Sequence, residues 1–222
     1  MISKLPRWVW GGAWLMAFIA GFINVIGLLG FEHQPITHLT GSASMLGSAI
    51  GRLNAPKAVH FLFAIGSFMA GCVLSGLLIQ SSSLRLGRRY GIALFIESLL
   101  LFASIPLFQV SHEGAIYLAA GACGLQNAMA TTYSGTVVRT THLSGMFTDL
   151  GISLGHLLRG QPLDLPRLKL SGIIISGFVV GGAAGAAGFD IWSYSILLVP
   201  AAMTLIGSLG YAVYLWRRPD DL

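Results

Sequence analysis

The chain has 222 residues, 55% hydrophobic and 9% charged, with a mean hydropathy of +0.76, a composition that fits an integral membrane protein and leaves no room for a soluble domain. The net charge of +5 sits in short Lys/Arg clusters at the edges of apolar stretches, with no basic stripe of interleaved aromatics, which argues against nucleic acid as a partner. Cys72 and Cys123 both fall inside apolar stretches and read as small core residues, not as a disulfide framework or a metal pair.

The first apolar stretch, about 8–30, follows Lys4 and Arg7 as a secretion signal would. It is longer than a signal core and aligns with an internal segment, so it reads as a membrane span, with Asn24 inside it. Residues 37–53 are weaker: rich in Gly and Ser, and opened by Thr37-His38-Leu39-Thr40-Gly41. They read as a half-helix over 41–53 with Thr40 as its N-cap. A second span covers about 58–80 and carries Ser67, Gly71 and Ser75 at four-residue spacing, a ridge for close helix packing. The loop 81–90 holds Arg85, Arg88 and Arg89. The next span, about 91–110, places Glu97 roughly two turns inside, as a proton site or as a partner of Arg88 or Arg89.

Span 115–137 carries Asn127, and Arg139 follows it. Thr141-His142-Leu143-Ser144-Gly145 then opens a second weak segment, read as a half-helix over 145–158 capped by Ser144. Asp149, Ser153 and His156 fall at i, i+4 and i+7 and share one face of it. Asp149 is expected either to pair with Arg139, His142 or His156 or to carry a coupling proton. Two last spans cover about 169–188 and 192–216.

Much of this order is a duplication. Gly21-Phe22-Ile23-Asn24 aligns with Gly124-Leu125-Gln126-Asn127, the Thr-His-Leu-[Thr/Ser]-Gly motif recurs, and Leu53–Lys57 aligns with Leu163–Arg167. Ser67, Gly71 and Ser75 align with Gly177, Gly181 and Gly185. Two topologies compete: eight crossings, or six crossings with two half-helices that turn back. In the six-span chain with a cytoplasmic amino terminus, only Arg52 and Lys57 fall outside; eight crossings would instead strand Arg85, Arg88, Arg89 and Arg139 there. The expectation is therefore an all-α polytopic membrane protein, one domain over 1–222, with both termini cytoplasmic. Repeat 1 covers about 9–110 and repeat 2 about 115–216. Each holds three transmembrane helices and one half-helix, an odd number of crossings, so the repeats are inverted.

Opposed half-helix starts offer free N–H groups and positive potential, a setting for a small anion or the negative end of a polar solute. The candidate solute-binding residues are Thr40, Gly41, Ser144, Gly145, His38, His142, Asp149, Asn24 and Asn127. Asp149, Arg139 and Glu97 are candidates for a proton site or ion pair. The alternatives remain open: Thr40 and Ser144 as plain caps, the histidines and asparagines as ties for broken backbone. A small-solute transporter or channel is the leading reading, and a non-transporting membrane scaffold or assembly partner is the second. No enzyme is expected, since no nucleophile–base pair is visible; nor is a metal site or a cofactor. The expected partners are the lipid bilayer, the solute and, as an option left open, further copies of the chain.

Residues 124–155, GLQNAMATTYSGTVVRTTHLSGMFTDLGISLG, resemble the second signature of the YoaK-like family of small bacterial membrane proteins. The first signature, AGFINVIG followed by THLTGSASMLG within residues 20–47, is similar to its counterpart. In that family's first half an acid is usual where this chain has Asn24, and an Asn where it has Ser42. The resemblance implies a bacterial inner-membrane protein of about six spans and implies no substrate, cofactor or reaction.

Overall fold

The computed structural model describes residues 7–79, 89–134 and 138–217. Among them the chain is entirely helical. The helices are α1 (Arg7–Leu29), α2 (Leu39–Gly51), α3 (Ala55–Leu78), α4 (Arg89–Gln109), α5 (Gly114–Tyr133), α6 (Leu143–Leu158), α7 (Leu165–Trp192) and α8 (Leu198–Arg217). A 3-10 turn, Ser193–Leu197, joins the last two. Four stretches are long and apolar enough to cross a membrane: Trp8–Leu29, Ala55–Leu78, Arg89–Gln109 and the run Leu165–Arg217, which holds both α7 and α8. Of the loop 81–90 expected to decide the topology, 81–88 lie outside the described residues, and Arg89 and Tyr90 open α4.

Local chemistry explains the breaks. Asn54 and Asp164 each accept the amide N–H three residues on, from Lys57 and Arg167 at 3.2 Å, with a proline in the first turn, so α3 and α7 start in the same way. After α1 the chain folds back along the helix it has just left. A side chain at Gly27 would meet the Gln34 carbonyl oxygen and the Ile36 side chain. α2 has 13 residues and α6 has 16, so they rise about 20 and 24 Å, short of a hydrocarbon core of about 30 Å. Both are the short helices that the sequence indicates after each Thr-His-Leu motif.

Packing follows the duplication. α1 lies along α7 and α3 lies along α5. A Cβ on Gly21 would overlap the Phe178 carbonyl oxygen, and one on Gly124 the Phe68 carbonyl oxygen. Likewise Gly181 sits on the Phe18 carbonyl and Gly71 on that of Gly121. These four contacts are two pairs that exchange when each residue is replaced by its aligned counterpart. α4 and α8 obey the same rule. Ser98 Oγ donates to the Ala201 carbonyl at 3.1 Å, and Ser208 Oγ donates to the Gly91 carbonyl at 2.8 Å. The offset that aligns Gly71 with Gly181 carries Ser98 onto Ser208 and Gly91 onto Ala201.

One interface departs from the rule. α4 packs along α5, whereas the matching pair, α8 and α1, scarcely touches. The largest core cluster, with Ile23, Ile26, Leu101, Phe108, Ile116 and Leu197, is built by α1, α4, α5 and the head of α8.

Candidate functional site

Each half-helix starts where an asparagine of the preceding helix holds the chain. Asn24 Oδ1 accepts from the Thr37 backbone N–H at 3.0 Å and from its hydroxyl at 2.9 Å. In the second copy Asn127 Oδ1 accepts from the Thr140 hydroxyl at 3.4 Å. Motif alignment points instead to Thr141; the partner is one residue earlier because both clamps span the same number of residues, 13. Asn24, Thr37 and Thr140 are buried, Thr140 fully, and Asn127 is partly exposed. Asn24 therefore ties α1 to the adjoining non-helical backbone, whereas the Asn127 carboxamide meets only the Thr140 side chain among the described residues.

The caps differ from expectation. α2 begins at Leu39 and α6 at Leu143, so His38 and His142 occupy the N-cap positions, and neither makes a side-chain cap bond. Thr40 and Ser144 lie inside the first turn, and their carbonyls, not their hydroxyls, are engaged, by Ser44 and Thr148 at 2.9 Å. The clamp on Thr37 forces the turn at that residue, and the helix starts immediately after it. The two histidine rings fold over the first turn. A Cβ on Gly41 would lie 3.2 Å from His38 Nδ1, and one on Gly145 would lie 2.7 Å from the His142 ring.

The half-helices are also less enclosed than expected. α2 packs on α3 and α6 on α7, and the two share no packed interface with each other. Their outer faces are therefore open: His38, Thr40, His142 and Ser144 are exposed, while Ser42 and Ser153 face inward. Thr40-Gly41 and Ser144-Gly145 do not meet in a shared packed centre.

Asp149 pairs with Arg167, at 2.8 Å, rather than with Arg139, His142 or His156. Arg167 stands at the start of α7, against which α6 packs; Arg139 lies in the approach to α6. The pair is half-open to solvent, which limits it to about 0–1 kcal/mol. Glu97 does not reach Arg89, whose guanidinium donates to the Leu78 carbonyl at 3.3 Å; Arg88 is outside the described residues. Instead Glu97 is 1% exposed and lies against Gln126 and Cys123 of α5. Its Oε2 and the Gln126 Nε2 are buried without a hydrogen-bond partner among the described residues.

One further cluster leaves no mark in the sequence. His60, 4% exposed on α3, has Nδ1 3.0 Å from the Tyr117 hydroxyl and 3.1 Å from Glu113 Oε2, and Nε2 3.0 Å from Gln34 Oε1. The Tyr117 hydroxyl donates to Glu113 at 2.8 Å. Glu113, at the head of α5, is held below the usual carboxylate range by the Tyr117 hydrogen bond first and His60 second. The aligned positions for His60 and Gln34 are Leu170 and Val138, both in an apolar cluster with Trp10. A lone histidine in an apolar span gives no sequence signal; only the fold brings it to a glutamine and a carboxylate from distant segments.

The centre between the repeats is closely packed at the glycine contacts. A cavity of about 60 Å³ lies beside α1, lined by Gly12, Met16, Tyr90, Met129 and Tyr133 among others, and its wall is almost wholly apolar. No solved structure matches the chain. The model of a family described as a protein of unknown function, DUF1275, matches residues 12–210, taking in both signature stretches. The chain, a membrane protein by its apolar helices, thus belongs to the DUF1275 family.

Proposed function

We propose that this protein is a small-solute transporter or channel of a bacterial inner membrane, built from inverted repeats with six crossings and both termini cytoplasmic. The observation that carries the reading is the pair of uncapped, outward-open half-helix starts. Free backbone donors at membrane depth are tolerated only against protein or in a wet cavity. A solute or water that accepts from those N–H groups meets that requirement, with the helix dipole favouring an anion or a carbonyl-like oxygen.

Contacts at the two ends of the bundle support the topology. One end gathers Gln34, His60, Glu113 and Tyr117, and with them Phe31 and Tyr194. The other gathers Trp8 with Tyr133, Lys169 with Trp10, and Asp149 with Arg167. Helices α1, α3, α4, α5, α7 and α8 then alternate in direction, and α1 runs opposite to its counterpart α5. Arg89, Arg139, Arg159, Arg167, Lys169 and Arg217 share the second end, as a cytoplasmic face requires.

The scaffold reading is favoured by a different observation, the backbone-to-backbone glycine packing along the repeat interface. Reconstitution decides between them. Purified protein in proteoliposomes is screened for uptake of small anions and neutral polar solutes, beside the Thr40→Val/Ser144→Val variant. Transport predicts uptake of at least one class, reduced in the variant at equal folded content. No uptake of any class would leave the scaffold.

A further inference from the structure

We infer that the packed interface between α4 and α5 and the open one between α8 and α1 are alternatives that the protein exchanges, with the buried Glu97–Gln126 contact as the point of release. This deepens the transport reading above, because with inverted repeats the two forms open to opposite faces.

The argument starts from the exchange rule. At the α1–α7, α3–α5 and α4–α8 interfaces a contact recurs at the aligned positions, down to single glycine–carbonyl pairs and the two serine hydrogen bonds. The α4–α5 and α8–α1 interfaces differ. The difference is visible residue by residue. Ser104 on α4 is fully buried, and its counterpart Tyr214 is 47% exposed. Ala115 on α5 is fully buried, and its counterpart Gly12 has nothing within 4 Å of where a Cβ would stand. The apolar cavity beside Gly12 and Met16 lies between α1 and Tyr90, Met129 and Tyr133 of α4 and α5, with no described residue of α8 in its wall.

A covalent cause must be weighed. α4 and α5 are joined by a short turn at 110–113, whereas α8 and α1 are the two ends of the chain. The turn fixes one end of the α4–α5 interface. It does not account for the interface persisting to Glu97, which lies about 20 Å from the turn at 1.5 Å per residue. There the contact is poor. Glu97 faces Gln126, but its Oε2 and the Gln126 Nε2 are buried without a partner among the described residues, and a buried polar atom without a partner weakens the interface that holds it. The counterparts, Gly207 and Ile23, carry no polar side chain, so the opposite form has no such defect. α4 and α8 are tied by Ser98 and Ser208 and would move as a pair, hinged at 110–113, α4 leaving Gln126 as α8 closes over Gly12. Two packings of similar energy around a near-symmetric core are what such an exchange needs.

The test measures distance across the open interface. Spin labels are placed at Gly11→Cys and Trp216→Cys, both at open, exposed positions, in a Cys72→Ala/Cys123→Ala background in lipid nanodiscs. Wild-type sequence elsewhere should give two distance populations, the shorter one being the closed α8–α1 form. Glu97→Leu removes the buried polar defect and should abolish the shorter population, in a protein whose folding is checked by its melting profile. A single long distance in both proteins overturns the inference, and so do two populations that Glu97→Leu leaves unchanged. The transport reading fails separately: two populations with no uptake of any solute leave the exchange standing, and uptake with a single fixed distance sinks the exchange alone.

Discussion

Replacing Asn24 should destabilise the protein more than replacing Asn127, although the two are aligned. Asn24→Leu removes the acceptor of two donors, and one is the backbone N–H of Thr37, a residue 3% exposed. A buried N–H left without a partner costs about 1–3 kcal/mol, and the bend before α2 gives it no alternative carbonyl among its contacts. Asn127→Leu removes only a hydroxyl contact at 3.4 Å, near the limit of a hydrogen bond, where a loss of at most about 1 kcal/mol is expected. Thr37→Val separates the terms in the first clamp: it deletes the hydroxyl and keeps the N–H bonded to Asn24. It should therefore fall close to Asn127→Leu and well short of Asn24→Leu. The assay is reversible unfolding in mixed micelles with SDS, followed by far-ultraviolet circular dichroism. Equal losses for Asn24→Leu and Asn127→Leu would refute the account, since the backbone donor would then carry no weight.

Two other outcomes are expected. Alanine at Gly21, Gly71, Gly124 or Gly181 must displace a carbonyl of the partner helix and should lower stability by about 1–3 kcal/mol or more, whereas alanine at Gly47 or Gly151, with open space around both, should be neutral or slightly stabilising; thermal melts of the six variants in detergent check the contrast. Glu113, its carboxyl held below the usual range, contributes stability that is present above the ordinary carboxylate value of about 4.3 and is lost as pH falls through its lower folded value; a melting series from about pH 3 to 7 should show that acid limb flatten in Glu113→Gln.

The duplication was legible because backbone contact leaves a mark in composition. Small residues at four-residue spacing in an apolar helix mark close packing, and Gly71, Gly177, Gly181 and Gly185 of the two ridges all lie against carbonyls of the partner helix. The half-helices were legible for a similar reason, as short Gly/Ser-rich segments behind a repeated motif. Their first residues were not. Thr40 and Ser144 look like caps, yet a clamp from Asn24 or Asn127, far back along the chain, sets where the turn occurs. Partner choice was hidden in the same way. Asp149 has three basic residues nearby in sequence and bonds to Arg167, which only the packing of α6 on α7 delivers. His60 offers no pattern at all, since Gln34, Glu113 and Tyr117 come from three separate stretches.

The interleaving of α1 with α7 and α3 with α5 governs how the protein is made. Neither half of the chain contains its own main packing partner, so the first repeat leaves the ribosome with its glycine face bare. Lipid tails accept that face without penalty because they are as apolar as the helix that will replace them. α1 must wait in the bilayer until the helix bearing Phe178 has been inserted, and only then do both halves close, each completed by the other. Two separately synthesised halves should accordingly find one another in the membrane, and a chain stopped before α7 has a first helix without its main packing partner.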